Sequence, residues 1–145
     1  MDFVVNNLQY TTLTANTVSV SGLSGTSYNN LVIPSTVSYN GVTYTVTTIA
    51  VINSSTPITG SLTIPATVTD IQANAFGSQT MSSLYFPSTG SISIAYQAFI
   101  NCDSLLDIYL GGCALTIASQ AFTLKRTIKI KRNVYTPDLS SFCRI

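Results

Sequence analysis

The residue types that support catalysis are scarce in this chain of 145 residues. It contains no histidine and no glutamate, and its five acidic residues are all aspartates. A Ser-His-Asp or Cys-His site needs an imidazole base, and a histidine-containing metal site needs one as a ligand. The closest carboxylates, Asp103 and Asp107, flank the entry to a predicted strand, and there is no glycine-rich phosphate loop. We therefore expect no enzymatic activity, no metal site and no cofactor.

The three cysteines, Cys102, Cys113 and Cys143, lack the paired spacing of a metal site. Their odd number leaves at least one thiol unpaired within a monomer. We favour free, packed cysteines, and one disulfide among the three stays the alternative.

A column of outward-facing side chains is the candidate binding site. In each Leu-x-Ile segment the middle residue of the predicted strand points away from the core, which gives the set Val32, Thr63, Tyr85, Tyr109 and Lys129. Tyrosine is favoured at binding surfaces because it combines a large apolar area with a polar tip. We predict that Thr63, Tyr85, Tyr109 and Lys129 bind a protein or glycan ligand. The alternative is that the neighbouring aromatic side chains only stabilise the sheet, by about 0.2–1 kcal/mol.

A repeat must position that column. The dipeptide Ala-Phe recurs at a fixed interval of 23 residues, as Ala75-Phe76, Ala98-Phe99 and Ala121-Phe122. A fixed period of this length is typical of a solenoid. Each unit holds two short apolar-polar-apolar segments, which predicts strands and leaves no room for a crossover helix. The sequence predicts a mainly β fold, a short right-handed solenoid of stacked parallel strands around a column of isoleucine, leucine and phenylalanine.

The ends of the chain differ from the middle. Residues 1–60 predict an N-terminal antiparallel β cap with hairpin turns at Asn6-Asn7 and Asn40-Gly41, and a first, diverged repeat. Residues 61–130 are the predicted solenoid, and residues 131–145 a C-terminal cap, all within one structural domain. The cap is favoured because the chain runs six residues from Phe122 to Ile128, whereas the previous unit takes nine from Phe99 to Ile108.

The units resemble the BspA-type leucine-rich repeat, found on many bacterial and protist surface proteins. The best match runs from Ala98-Phe99 through Cys102 to Leu105 and into Ile108-Tyr109-Leu110, and the resemblance covers about residues 30–130. Gln79 stands in the first unit at the position that Cys102 fills in the second. The resemblance implies display outside a cell, adhesion or protein binding, and it implies no enzymatic activity.

Five of the six positive charges lie within residues 125–132, at Lys125, Arg126, Lys129, Lys131 and Arg132. We favour protection of the solenoid's edge strand, because lysines there discourage unwanted pairing. Contact with an acidic partner or glycan is the alternative. Nucleic-acid binding is the weakest interpretation, because it needs basic residues spread over a face with interleaved aromatic side chains.

Charge is sparse in the whole chain. The net charge is +1 and only 8% of residues are charged, while serine, threonine and asparagine number 19, 21 and 10. A net charge near zero weakens the barrier to self-association, so a structural subunit of a filament, sheath or particle coat is the alternative function. No apolar run is long enough to span a bilayer. No signal peptide is visible, since Asp2 stands where its basic region would begin, and the extracellular or cell-surface location comes from the resemblance.

Overall fold

The computed structural model of the chain describes residues 1–52, 56–124, 129–131 and 142–144. In this part of the chain all regular structure is strand, which confirms the mainly β fold. The strands are β1 (Asp2–Val5), β2 (Leu8–Thr12), β3 (Thr17–Leu23), β4 (Tyr28–Val32), β5 (Thr36–Tyr39), β6 (Val42–Ile49), β7 (Ile58–Thr63), β8 (Asp70–Ile71), β9 (Ser83–Tyr85), β10 (Ser91–Ile94), β11 (Phe99–Ile100), β12 (Asp107–Tyr109), β13 (Ala114–Ile117), β14 (Phe122–Leu124), β15 (Lys129–Lys131) and β16 (Phe142–Arg144).

The strands form three sheets. Sheet A has the order β1-β2-β3-β6-β8-β10-β13, with β5 paired to β6. Sheet B has the order β4-β7-β9-β12-β15, and the small sheet C has the order β11-β14-β16. From β7 onward every pairing within each sheet is parallel. Each repeat therefore contributes one strand to sheet B and one to sheet A, as stacked units require.

The two predicted hairpin turns are confirmed. Strands β1 and β2 pair antiparallel across Asn6 and Asn7, whose φ angles are 49° and 64°. Strands β5 and β6 pair antiparallel across Asn40 and Gly41, with φ angles of 50° and 79°. Positive φ at both central residues is the mark of the type I′ turn, whose twist matches that of the flanking strands.

The N-terminal segment is not purely antiparallel: the pairing of β4 with β7 agrees with the predicted first, diverged repeat, whereas that of β3 with β6 was not predicted. Strand β3 pairs with β6 in parallel, and β4 pairs with β7 in parallel. The reason is the path of the chain, which leaves sheet A after β3, adds β4 to sheet B, and returns to sheet A as β5. The hairpin at Asn40-Gly41 then reverses the chain, so β6 runs in the direction of β3. The repeat-like exchange between the two sheets thus begins at Tyr28.

The core is a set of columns in which each unit contributes the same side chain. In sheet A the registered positions Ile49, Ile71 and Ile94 are buried, and in sheet B the same holds for Leu62, Leu84 and Ile108. Burial of such a side chain contributes about 1.5–3 kcal/mol. These columns confirm the predicted interior.

The phenylalanines of the Ala-Phe dipeptides form a third column. The rings of Phe76 and Phe99 stack with centroids 5.3 Å apart, and those of Phe99 and Phe122 with centroids 4.7 Å apart. All three rings are fully buried. In sheet C, Phe142 lies in register with Phe122, so the strand of residues 142–144 extends the sheet beside β14.

The residue before each Ala-Phe has a left-handed backbone. Asn74, Gln97 and Gln120 have φ angles of 60°, 58° and 57°. An L residue at positive φ reverses the chain locally, and here the reversal precedes the buried phenylalanine in every unit. The sequence analysis of each unit did not predict this backbone conformation.

Candidate binding face

The outer face of sheet B carries the predicted column, with one change. Strand pairing places Val32 opposite Thr63, Thr63 opposite Tyr85, and Tyr85 opposite Tyr109. The alternating residues Leu62, Leu84 and Ile108 are buried, whereas Val32 is 61% exposed and Tyr85 is 37% exposed. The alternation of a strand therefore turns this column to solvent.

Tyr85 and Tyr109 form the centre of the face. Their rings are stacked with centroids 4.3 Å apart and an angle of 3° between the planes. Neighbouring strands lie about 4.8 Å apart, so the ring normals run along the ladder from one strand to the next. The two rings consequently stand upright on the sheet, with one face of each covered by the other.

The stack changes the acidity of Tyr85. A side-chain hydrogen bond with Tyr109 is the main cause that raises the pKa of Tyr85, and burial and the negative charge of Asp107 raise it further. The hydrogen bond favours the neutral phenol, because a phenolate has no proton to donate. The two hydroxyls therefore act as one neutral polar unit above the paired rings.

Lys129 does not occupy the position predicted for it. Lys131 lies in register with Tyr109, and Lys129 lies in register with Asp107. Residues 128–131 alternate isoleucine and lysine, so two registers that differ by two residues satisfy the same inside-outside pattern. The pairing of Ile130 with Ile108 selects the later register.

This register also reduces the predicted shortening of the last unit from three residues to one. Ile130 takes the position equivalent to Ile108, and it follows Phe122 by eight residues, close to the nine between Phe99 and Ile108. Of the basic cluster, Lys125, Arg126 and Arg132 lie outside the described residues, so the interpretation of the cluster as edge protection stays a prediction.

A second row of outward residues precedes the tyrosine column on the same strands. Ser61, Ser83 and Asp107 lie in register with one another, two residues before Thr63, Tyr85 and Tyr109 respectively. Strands β4, β7 and β9 carry no charged residue. The half of the face between Val32 and Tyr85 is therefore polar but uncharged.

A pair of asparagines, Asn29 and Asn30, borders this half of the face and was not predicted from the sequence. Asn30, with a φ of 58°, sits at an irregularity between β4 and β7. Its Oδ1 accepts a hydrogen bond of 3.0 Å from the backbone N–H of Ser61. The Thr59 hydroxyl donates to the Tyr28 carbonyl oxygen at 3.1 Å and lies 3.4 Å from Asn29 Oδ1. Because the Asn30 oxygen accepts from Ser61, its side-chain NH₂ group is available as a donor. No local pattern in the sequence predicts these contacts, because Thr59 and Ser61 lie about 30 residues further along the chain.

Tyr85 is the last aromatic residue of the column in the direction of β4, because Thr63 and Val32 follow it there. We call the surface formed by Val32, Thr63 and Tyr85 the Tyr85 step. The ring face of Tyr85 that is turned away from Tyr109 looks toward Thr63. A threonine side chain has only two heavy atoms beyond Cβ and cannot reach the height of a phenol ring. The upper part of that ring face is therefore open, above a floor of Thr63 and Val32.

A groove of about 430 Å³ adjoins the step at the edge of β4. Val32 belongs to both, and the groove is lined by Val5, Asn6, Leu8, Tyr10, Leu31, Val32, Pro34, Thr36, Val37 and Ser38. None of these side chains carries a charge at neutral pH. Burial raises the pKa of Tyr10 to about 12, so this phenol also stays neutral.

The described cysteines are packed inside the solenoid. Cys102 and Cys113 are both free and buried, and the Cys102 Sγ donates to the carbonyl oxygen of Phe76 at 3.1 Å. Burial raises the pKa of Cys102 to about 12 and raises that of Cys113 as well. A thiol held in its protonated form is a poor nucleophile, so these two residues act as core side chains. The side chain of Cys143 is outside this description.

Gln79 takes the place of a cysteine in the first unit and remains buried. Its Oε1 accepts a hydrogen bond of 3.0 Å from the backbone N–H of Ile58, and its Nε2 donates to the Thr56 carbonyl at 3.2 Å. The amide thus satisfies the backbone at the entry to β7.

Two features are absent from the residues that the structure describes. No group of three or more metal-ligating side chains comes together there. The same residues contain no helix with the length and apolar character needed to cross a membrane.

Comparisons with known proteins agree with the repeat architecture. A family model described as "BspA type Leucine rich repeat region" matches residues 53–144 in six copies. The fold is similar to that of a leucine-rich repeat protein from Bacteroides ovatus, with a TM-score of 0.56, 22% identity, and coverage of 92% of this chain and 41% of that one. It is also similar to the pneumococcal vaccine antigen PcpA, with a TM-score of 0.53, 16% identity, and coverage of 99% and 47%.

The chain spans less than half the length of these two solved structures. No curated protein gives a significant match. At identities below 25% the two structures show a shared fold.

Proposed function

Because the chain belongs to the BspA-type leucine-rich repeat family, whose model matches more than half of its length, we propose that it is a non-enzymatic binding or adhesion module. The module acts as part of a secreted or cell-surface protein. It uses the outer face of sheet B, centred on Tyr85 and Tyr109, to contact a protein or glycan on another surface.

The stacked pair of the exposed Tyr85 and the half-buried Tyr109 is the observation that supports this proposal. Two aromatic rings on an outer sheet face present apolar area and hydroxyl groups together, and such residues dominate the energetics of many interfaces. The corresponding outward row on the repeat strands of sheet A, Asp70, Ser93 and Thr116, contains no aromatic residue. Sheet B is therefore the better candidate for a contact face.

A matched pair of charge substitutions tests which sheet makes the contact. Ser83 and Ser93 are outward serines on strands of opposite sheets. In a binding assay on immobilised mucin, extracellular-matrix proteins and intact cells, Ser83→Arg should weaken binding because it buries a charge beneath the ligand. Ser93→Arg should leave binding unchanged. Equal effects of the two substitutions, or a complete lack of concentration-dependent binding, would count against the proposal.

Self-assembly is the second candidate function, and the ends of sheet B favour it. Within the described residues β4 and β15 each pair on one side only. A parallel edge at each end allows one copy to stack head to tail on the next, and repetition of that contact would give an open filament. Size-exclusion chromatography with negative-stain microscopy tests this, because monomers at all concentrations would contradict it.

A further inference from the structure

We infer that the Tyr85 step binds a neutral oligosaccharide by stacking one pyranose ring on the open face of Tyr85. This inference rests on the proposed function, since it names the ligand class of the same face. It places the sugar above Thr63 and Val32, between the tyrosine ring and the edge of β4.

The open ring face is the first reason. One face of Tyr85 is covered by Tyr109 at 4.3 Å, and the other stands free over the shorter Thr63. An aromatic face carries partial negative charge, and the axial C–H groups of a pyranose present a weakly positive, apolar surface of similar size. A flat ring laid against Tyr85 would continue the stack that Tyr109 begins.

The floor and the border of the step supply the second reason. Val32 is 61% exposed and gives an apolar base beside the polar Thr63. The Asn30 Oδ1 accepts hydrogen bonds from the backbone N–H and the hydroxyl of Ser61, which leaves the Asn30 NH₂ group as a donor at the border. Amide and hydroxyl groups around an apolar base match the hydroxyl-rich rim and apolar faces of a sugar.

The lack of charged residues on the strands of the step is the third reason, and it favours a neutral ligand. The strands that form the step, β4, β7 and β9, contain no charged residue. An ionic ligand would lose hydration there without gaining a counter-ion. The nearest registered charge is the carboxylate of Asp107, beside Ser83, and it disfavours sulfated or acidic sugars.

The test uses the whole chain and soluble neutral oligosaccharides of glucose, galactose, mannose and N-acetylglucosamine. Saturation-transfer difference NMR should show binding in which the protons of one pyranose face receive the most saturation. Thr63→Tyr should weaken this binding at least tenfold, because a third ring would cover the open face of Tyr85. Thr116→Tyr, on the outer face of sheet A, is the matched control and should leave binding unchanged.

A second variant tests the same claim independently, in case Thr63→Tyr does not fold. Tyr85→Leu keeps apolar bulk but removes the aromatic face, so it should also reduce sugar binding at least tenfold. The melting temperature of each variant is measured beside its affinity. Sugar binding that survives both substitutions in folded protein would overturn the inference.

Failure of this inference is distinguishable from failure of the proposed function. If no oligosaccharide binds, but a matrix protein binds and is lost with Tyr85→Leu, the face is a protein-binding site and the sugar inference is wrong. If neither sugars nor proteins depend on Tyr85, both conclusions are wrong. If sugars bind and depend on Tyr85 and Thr63, both are supported.

Discussion

The phenol ring of Tyr85 lies parallel to that of Tyr109, with centroids 4.3 Å apart and 3° between the planes. The two residues are 24 positions apart in the chain and come together because β9 and β12 pair in parallel. One repeat thus supplies each ring. A solenoid can build a contiguous contact surface from single residues of successive units, and this pair is the clearest instance here.

The first prediction concerns the acidity of the pair. The pKa of Tyr85 is raised by its hydrogen bond to Tyr109, so NMR titration of ¹³C-labelled tyrosine should show Tyr85 ionising above the ordinary value of about 10. Tyr109→Phe removes the hydrogen bond and should lower the pKa of Tyr85.

The same shift has a consequence for stability. A pKa that is higher in the folded than in the unfolded state stabilises the protein below about pH 10, and that contribution is lost as pH rises through the folded-state pKa. A Tyr85 pKa that does not respond to Tyr109→Phe would show that the hydroxyls are not coupled.

The second prediction concerns the phenylalanine column. Phe99 is fully buried between the rings of Phe76 and Phe122, so Phe99→Ala should lower the free energy of unfolding by about 3–5 kcal/mol. Tyr96→Ala is the nearby control, because Tyr96 is 48% exposed. Denaturant melts measure both, and similar losses would contradict the assignment of Phe99 to the core.

The third prediction concerns the turn at Asn40-Gly41. Gly41 has a φ of 79° and open space where a side chain would begin, so a substitution there strains the backbone without causing a clash. Gly41→Val should destabilise the protein by more than about 1–2 kcal/mol, because β-branched residues disfavour positive φ most.

Gly41→Asn is the matched control for the turn. Asparagine tolerates the left-handed region, so its effect on the melting temperature should be clearly smaller. Equal melting temperatures for the two variants would show that the turn does not require positive φ at this position.

The sequence was sufficient to predict the fold class, both hairpin turns and the tyrosine column. All of these depend on local alternation or on a fixed period, which the residues themselves display. The family resemblance was also correct, since the family model covers residues 53–144.

The register of the last strand could not be predicted in the same way. The alternation Ile-Lys-Ile-Lys of residues 128–131 fits two registers equally well, and only pairing with β12 distinguishes Lys131 from Lys129 as the neighbour of Tyr109. The parallel pairing of β3 with β6 could not be predicted from the sequence either, because it depends on the path of the chain through β4 and the hairpin that follows it.

The two asparagines at the border of the face could not be predicted from the sequence either. Asn29 and Asn30 contact Thr59 and Ser61, about 30 residues away in the chain, and no local pattern in the sequence predicts such a contact.

The left-handed residues Asn74, Gln97 and Gln120 did carry a signal in the sequence, since they repeat at the same interval of 23 residues as the Ala-Phe dipeptide.

Binding by the variant Tyr85→Ser/Tyr109→Ser tests the central claim most directly, with Tyr96→Ser as the control for an exposed tyrosine elsewhere. Biolayer interferometry on immobilised mucin and matrix proteins, with flow cytometry on intact cells, measures the affinity of each. We predict that the double variant loses at least about tenfold in affinity, as expected for central aromatic residues, while its stability falls by no more than about 1 kcal/mol. Tyr96→Ser should bind like the unmodified chain. A folded double variant that binds as tightly as the unmodified chain would contradict the assignment of sheet B as the binding face.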